Sequence, residues 1–211
     1  ELAQEPAVDV RRQRQVRQRM AALGLEGRCV VTCDPYGHLR LEVEGPGAEK
    51  LAQGGEVARL SALMGCPLRA EEDKRGRAVL VQREPLMAVA GVAAADREGQ
   101  KVSGDVGAWF KDDSGRLNFL LCDGMGSGVS ARADSDCALN LLEKFLRAGL
   151  EPEAALQTVG EALALRGEDQ GGFTTVDLLQ VDLFTGKSAV YKLGAAPTWL
   201  RRGGLVERLA G

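Results

Sequence analysis

The feature that most constrains this chain is a pair of aspartates, Asp105 and Asp123, set at the two ends of a strand-turn-strand pattern. They lie in VSGDVGAWFKDDSGRLNFLLCDGMGSG, Val102 to Gly128. Val106 to Lys111 and Leu117 to Cys122 are apolar or aromatic runs, and Asp112, Asp113, Ser114 and Gly115 between them have hairpin-turn chemistry. In a hairpin centred on Ser114, facing positions have numbers totalling 228, as Asp105 and Asp123 do. Opposed residues of an antiparallel pair have α-carbons about 4.5 to 5.5 Å apart. Both carboxylates therefore arrive at the open end of the hairpin, where they repel unless a proton or a cation lies between them.

The chain then enters a glycine-rich turn, Asp123-Gly124-Met125-Gly126-Ser127-Gly128, ahead of a helical pattern starting near Ser130. Glycines let a backbone approach a ligand closely and turn carbonyls toward it. Alternation places Cys122 away from Asp123, and the stretch contains no His. Carboxylates plus a backbone carbonyl make a hard oxygen site suited to Mg²⁺ or Mn²⁺ rather than zinc. The competing reading is a hairpin whose aspartates only cap turns, because Asp and Gly are ordinary turn residues.

The pair VSGD (102 to 105) and CDGMGSG (122 to 128) resembles the metal-dependent PPM-type, or protein phosphatase 2C-like, serine/threonine phosphatases. Its DGMG form is similar to the bacterial stage II sporulation protein E family. The resemblance implies that Asp123 bridges two metal ions, that Gly124 lends its carbonyl to one of them, and that Asp105 binds at the same site directly or through water. It implies Mn²⁺ or Mg²⁺ as cofactor and a phosphoserine on an anti-sigma factor antagonist protein as substrate, linked to sporulation sigma factor control. Two departures stand beside it. Met125 occupies the place where the eukaryotic branch has a His implicated as general acid, and no later Asp-Gly motif follows Asp123. Asp177 and Asp182 lie within a strand pattern that does not deliver them to the hairpin end. The phosphatase region is therefore expected to be C-terminally incomplete, with weak metal binding and little activity alone.

Composition narrows the function class. The 211 residues carry 27 basic and 30 acidic side chains, a net charge of −3, which does not suggest a nucleic-acid surface. No apolar run approaches the roughly 18 residues of a membrane span, so any membrane attachment is expected through segments outside this chain. The five cysteines are odd in number and irregularly spaced, which suggests reduced thiols in a cytoplasmic protein. Cys29, Cys33 and His38 match no zinc spacing.

In chain order, 8–23 is predicted as a helix dense in arginine (Arg11, Arg12, Arg14, Arg17, Arg19) with a thin apolar stripe of Val16, Met20 and Leu23. It reads as a solvated helix, a dimerising or docking helix, or a basic helix beside a membrane. Strands are expected over 28–34, 38–44 and 77–83 and a helix from Lys50 to Met64. Residues 1–84 thus form a small α+β unit, expected to be regulatory or a plain extension, and 85–211 form the phosphatase unit. Leu86 to Ala95 is expected to be its first core strand. Helices over 130–148 and 152–166 should lie antiparallel, followed by strands over 173–183, 188–193, 198–201 and 205–209. The class is α+β, and the resemblance implies a partial α-β-β-α sandwich. A homodimer is expected.

Two rivals remain. D-x-G-x-G after a strand loosely matches histidine-kinase-like ATPases, although Asn118 falls in a strand and not on a helix as that family requires. The stronger rival is a dimerisation or partner-binding module with a degenerate metal site.

Overall fold

The computed structural model describes residues 5–93, 102–126, 128–170 and 174–209. The chain divides into two compact units, one ending at Pro85 and the other beginning at Leu86. Among the described residues, no helix is long and apolar enough to cross a membrane.

The first unit is an antiparallel sheet in the order β1-β2-β3-β5-β4, formed by β1 (Ala7–Val8), β2 (Arg28–Cys33), β3 (Leu39–Glu44), β4 (Leu68–Glu72) and β5 (Arg77–Gln82). In β3 the alternation expected from the sequence is realised: Leu39, Leu41 and Val43 are buried and join a core with Val16 and Met20 of α1 (Val10–Ala22) and Leu60 and Met64 of α2 (Gly54–Met64). Asp9 caps α1 by accepting from Arg12 N at 2.9 Å. The alternate residues of the sheet form ion pairs, Arg40 with Glu42 and Glu71 at 2.7 and 2.8 Å.

Two expectations for this unit change. The single helix from Lys50 to Met64 is a short 3₁₀ turn, Ala48–Ala52, followed by α2, with Gln53 extended between them. Gly54 and Gly55 follow that break, and glycine is the weakest ordinary residue at holding a helix through such a point. Strand β4 was not anticipated, because Leu-Arg-Ala-Glu-Glu buries only its first residue. It is a charged edge strand, held by pairing with β5 rather than by an apolar pattern.

The second unit layers two helices on one face of a four-stranded antiparallel sheet, β6 (Val106–Lys111), β7 (Arg116–Gly124), β8 (Thr174–Asp182) and β9 (Ser188–Leu193), in sequential order. The helices are α3 (Val129–Arg147) and α4 (Pro152–Gln170). Their buried Ala138, Leu142, Leu146, Ala155, Leu156, Val159 and Leu163 meet Val106, Phe110, Leu120, Cys122, Val176 and Leu178 of the sheet. Leu142 is fully buried there, so Leu142→Ala is expected to cost about 2 to 5 kcal/mol in urea unfolding. A cost under about 1 kcal/mol would mean this layer is not the core of the unit. A separate hairpin, β10 (Thr198–Arg202) and β11 (Leu205–Leu209), follows.

The expected core strand over Leu86 to Ala95 is not formed. Residues 86–93 have no strand pairing, and Leu86, Met87, Val89 and Val92 are exposed; residues 94 and 95 lie outside the described residues. A backbone bond, Leu86 N to Leu183 O at 3.1 Å, attaches the start of the segment beside the sheet. Apolarity without a pairing edge does not make a strand, and the alanines that fill this run are weak strand formers. Phe173, expected to open β8, also lies outside the described residues.

Candidate metal centre

The hairpin register matches the expectation from its turn. Val106 faces Cys122 and Lys111 faces Leu117, and one step past the Val106–Cys122 end of this ladder the Asp105 and Asp123 carboxyls meet in a hydrogen bond. The turn is locked by Asp112, whose Oδ1 accepts from Ser114 N at 3.0 Å, Arg116 N at 3.0 Å and Ser114 Oγ at 2.7 Å. Asn118, fully buried, ties the hairpin to the next strand by accepting from Gln180 Nε2 at 2.9 Å. Register in a hairpin is set by its turn. Asp112 and Asn118 therefore deliver the two aspartates from the far end.

The glycine-rich turn folds back onto VSGD. Gly128 N donates to Val102 O at 3.3 Å. A Cβ on Gly104 would stand 3.1 Å from both the Gly124 carbonyl oxygen and Ala131 Cβ. A Cβ on Gly124 would stand 2.4 Å from the Ala131 carbonyl oxygen and 2.7 Å from Ser135 Oγ. Only glycine fits at 124, because the obstructing atom belongs to the backbone of α3. The Gly124 carbonyl is thus placed beside Gly104, next in chain to Asp105. Ser127 of the motif lies outside the described residues.

Both aspartates are exposed. The Asp123 carboxyl is held above the usual carboxylate range, first by a hydrogen bond with Asp105, then by partial burial and by repulsion from the Asp105 charge. Two carboxyls close enough to share a proton form an acceptor set that a divalent cation can occupy in its place. Cys122 faces the opposite side of the sheet, fully buried, its thiol pushed up to about 12 by burial. A soft ligand is thereby withheld, and the donor set of two carboxylates and a carbonyl fits Mg²⁺ or Mn²⁺.

The other candidates go elsewhere. Among the described residues, no three His, Cys, Asp or Glu side chains cluster as metal ligands. Asp177 Oδ2 accepts from Lys192 Nζ at 2.7 Å and Thr198 Oγ1 at 3.0 Å. Asp182 caps the turn after β8 by accepting from Phe184 N and Thr185 Oγ1 at 2.7 and 2.6 Å. Cys29 is sealed in the core of the first unit, its thiol pushed up to about 11, and His38 Nδ1 meets Asp34 Oδ2 at 3.0 Å. No sequence pattern points to Ser135 and Thr174, two buried hydroxyls beside Gly124. Their positions follow from α3 and β8 meeting over a residue that has no side chain.

Residues 113–210 match the sequence model of the family described as Stage II sporulation protein E (SpoIIE). The chain resembles stage II sporulation protein E. It is 34% identical over 119 residues to the Priestia megaterium protein of that name, covering 56% of this chain and 20% of the relative. The Bacillus subtilis (strain 168) protein is 32% identical over 119 residues, covering 56% of this chain and 14% of the relative. The chain thus spans a fifth or less of the length of these SpoIIE relatives. A solved structure of the PP2C phosphatase domain and a fragment of the regulatory domain of the cell fate determinant SpoIIE from Bacillus subtilis matches with a TM-score of 0.61 and 24% identity, covering 92% of this chain and 60% of that one. The α+β architecture is therefore that of the SpoIIE PP2C phosphatase domain.

Proposed function

We propose that this SpoIIE-like chain belongs to a metal-dependent protein serine/threonine phosphatase acting in sporulation. The observation that carries the reading is the Asp105–Asp123 pair, set side by side against the Gly124 turn. Asp123 and Asp105 would hold Mn²⁺ or Mg²⁺ with the Gly124 carbonyl. Bound divalent ions would supply a water of lowered pKa and neutralise charge on the transferring phosphoryl oxygens. The chain's own part is placement. The hairpin register fixes the separation of the carboxylates, and packing of α3 on Gly124 fixes the peptide that follows Asp123.

The substrate in this reading is a phosphoserine of an anti-sigma factor antagonist protein, and its dephosphorylation would govern a sporulation sigma factor. The first unit serves as a regulatory module, the protein acts as a homodimer, and the site faces the cytoplasm. The second reading, a partner-binding module with a degenerate site, is favoured by one observation: no third acidic side chain joins the pair among the described residues.

Phosphate release from a phosphoserine protein by a longer form of the chain, extended toward the length of its relatives and measured with Mn²⁺ and with a chelator, separates the two. Release with Mn²⁺ and none with chelator is the expected result. Hydrolysis of small phosphate esters alone, with every phosphoprotein ignored, would remove the protein-phosphatase reading, and binding of a partner without any turnover would favour the module.

A further inference from the structure

Two hydroxyls lie unexplained on the helix-facing side of the sheet, against Gly124. Gly124 ends β7 and pairs with Thr174, the first residue of β8. Side chains opposed across an antiparallel pair share a face, about 4.5 to 5.5 Å apart, so the Thr174 side chain lies on the side where a Cβ of Gly124 would point. Val176 and Leu178, two and four residues on and therefore on the same side, are buried in the core with α3 and α4. From α3 comes Ser135, with its Oγ 2.7 Å from that Cβ position. Ser135 is 0% exposed and Thr174 1%. Neither Ser135 Oγ nor Thr174 Oγ1 has a hydrogen-bond partner among the described residues.

Buried hydroxyls are almost always hydrogen-bonded, and two left unpaired around one glycine is unusual for a native interior. Each can donate one bond and accept two. A buried water with two to four polar partners is the ligand such a place accommodates. Ala131 and Ser135 stand one helical turn apart, so the same face of α3 presses a carbonyl and a hydroxyl onto Gly124. Anything that shifts Ser135 shifts the peptide following Asp123.

We propose that Ser135 and Thr174 share one buried water beside Gly124 and act as positioning residues for the Asp123–Gly124 peptide. The positioning role rests on the metal reading above; the shared water does not. Removing one hydroxyl leaves the other facing a water that has lost a partner, whereas removing both leaves no orphan.

The test uses the full chain with Ser135→Ala, Thr174→Val and the double variant. Thermal unfolding is recorded in chelator, and Mn²⁺ affinity is measured by electron paramagnetic resonance titration. Each single variant is expected to melt lower than wild type and to bind Mn²⁺ about tenfold more weakly, the scale found when a residue that orients a metal ligand is changed. The double variant is expected to recover most of the melting temperature while keeping the weakened affinity, a non-additivity that independent sites do not show. Ser135→Ala melting at or above wild type with unchanged Mn²⁺ affinity would overturn the proposal, as would strictly additive losses in the double variant. Non-additive melting in a chain that binds no Mn²⁺ would support the shared water and count against the metal reading, so the two failures are distinguishable.

Discussion

In a longer form of the chain, extended toward the length of its relatives, Asp123→Asn is expected to abolish metal-dependent phosphate release while leaving the fold standing. A bound divalent ion contributes several kcal/mol of charge stabilisation at a transferring phosphoryl group, and each 1.36 kcal/mol is about tenfold in rate. A loss of at least about a hundredfold follows. The metal-free chain should respond in the opposite sense. There the hydrogen bond with Asp105, partial burial and the Asp105 charge hold the Asp123 carboxyl above its usual range. Asparagine removes that repulsion and still offers an amide for hydrogen bonding. Melting in chelator should therefore be unchanged or higher, with far-ultraviolet circular dichroism like that of wild type. Undiminished turnover would remove Asp123 from the metal site, and a large drop in metal-free melting would make it a structural residue.

Gly124→Ala should act through packing instead of charge. Its Cβ would come within 2.4 Å of the Ala131 carbonyl oxygen and 2.7 Å of Ser135 Oγ. The serine hydroxyl could rotate away; the carbonyl cannot move without displacing α3. Overpacking of this kind costs about 1 to 3 kcal/mol, and the clash with α3 would push the Gly124 peptide, and with it the carbonyl that faces Gly104, out of place. The variant is expected to melt lower and to lose Mn²⁺ affinity together. Gly55→Ala provides the contrast, since Gly55 lies in α2 with open space around its Cβ position and no left-handed backbone. That change should be neutral or stabilising by up to about 1 kcal/mol. If Gly124→Ala behaved like Gly55→Ala, the packing of α3 on the turn would carry no weight in the site.

Much of the second unit was legible from short-range pattern. The Asp112 to Gly115 turn and two flanking apolar runs were enough to bring Asp105 beside Asp123, because a hairpin's register is local and propagates one residue at a time. The cysteine at 122 could be assigned to the buried face by alternation alone. Pro152 opens α4, where its missing N–H is harmless. In the first unit, Leu39, Leu41 and Val43 announced their strand for the same reason. The Leu86 to Ala95 run misled because composition reports burial tendency but not the presence of a pairing edge.

By itself, then, the sequence determined the hairpin, its register and the two carboxylates at its open end. Those are consequences of turn chemistry and of a side-chain period of two, both acting over a few residues. Only the tertiary structure decided what surrounds the pair. It engages Asp177 with Lys192 and Thr198, seats α3 directly on Gly124, and brings Ser135 to a glycine whose strand partner is Thr174. These contacts join residues that are distant in the chain, through the packing of whole helices on a sheet. No periodicity encodes them, because each depends on where a neighbouring element comes to rest.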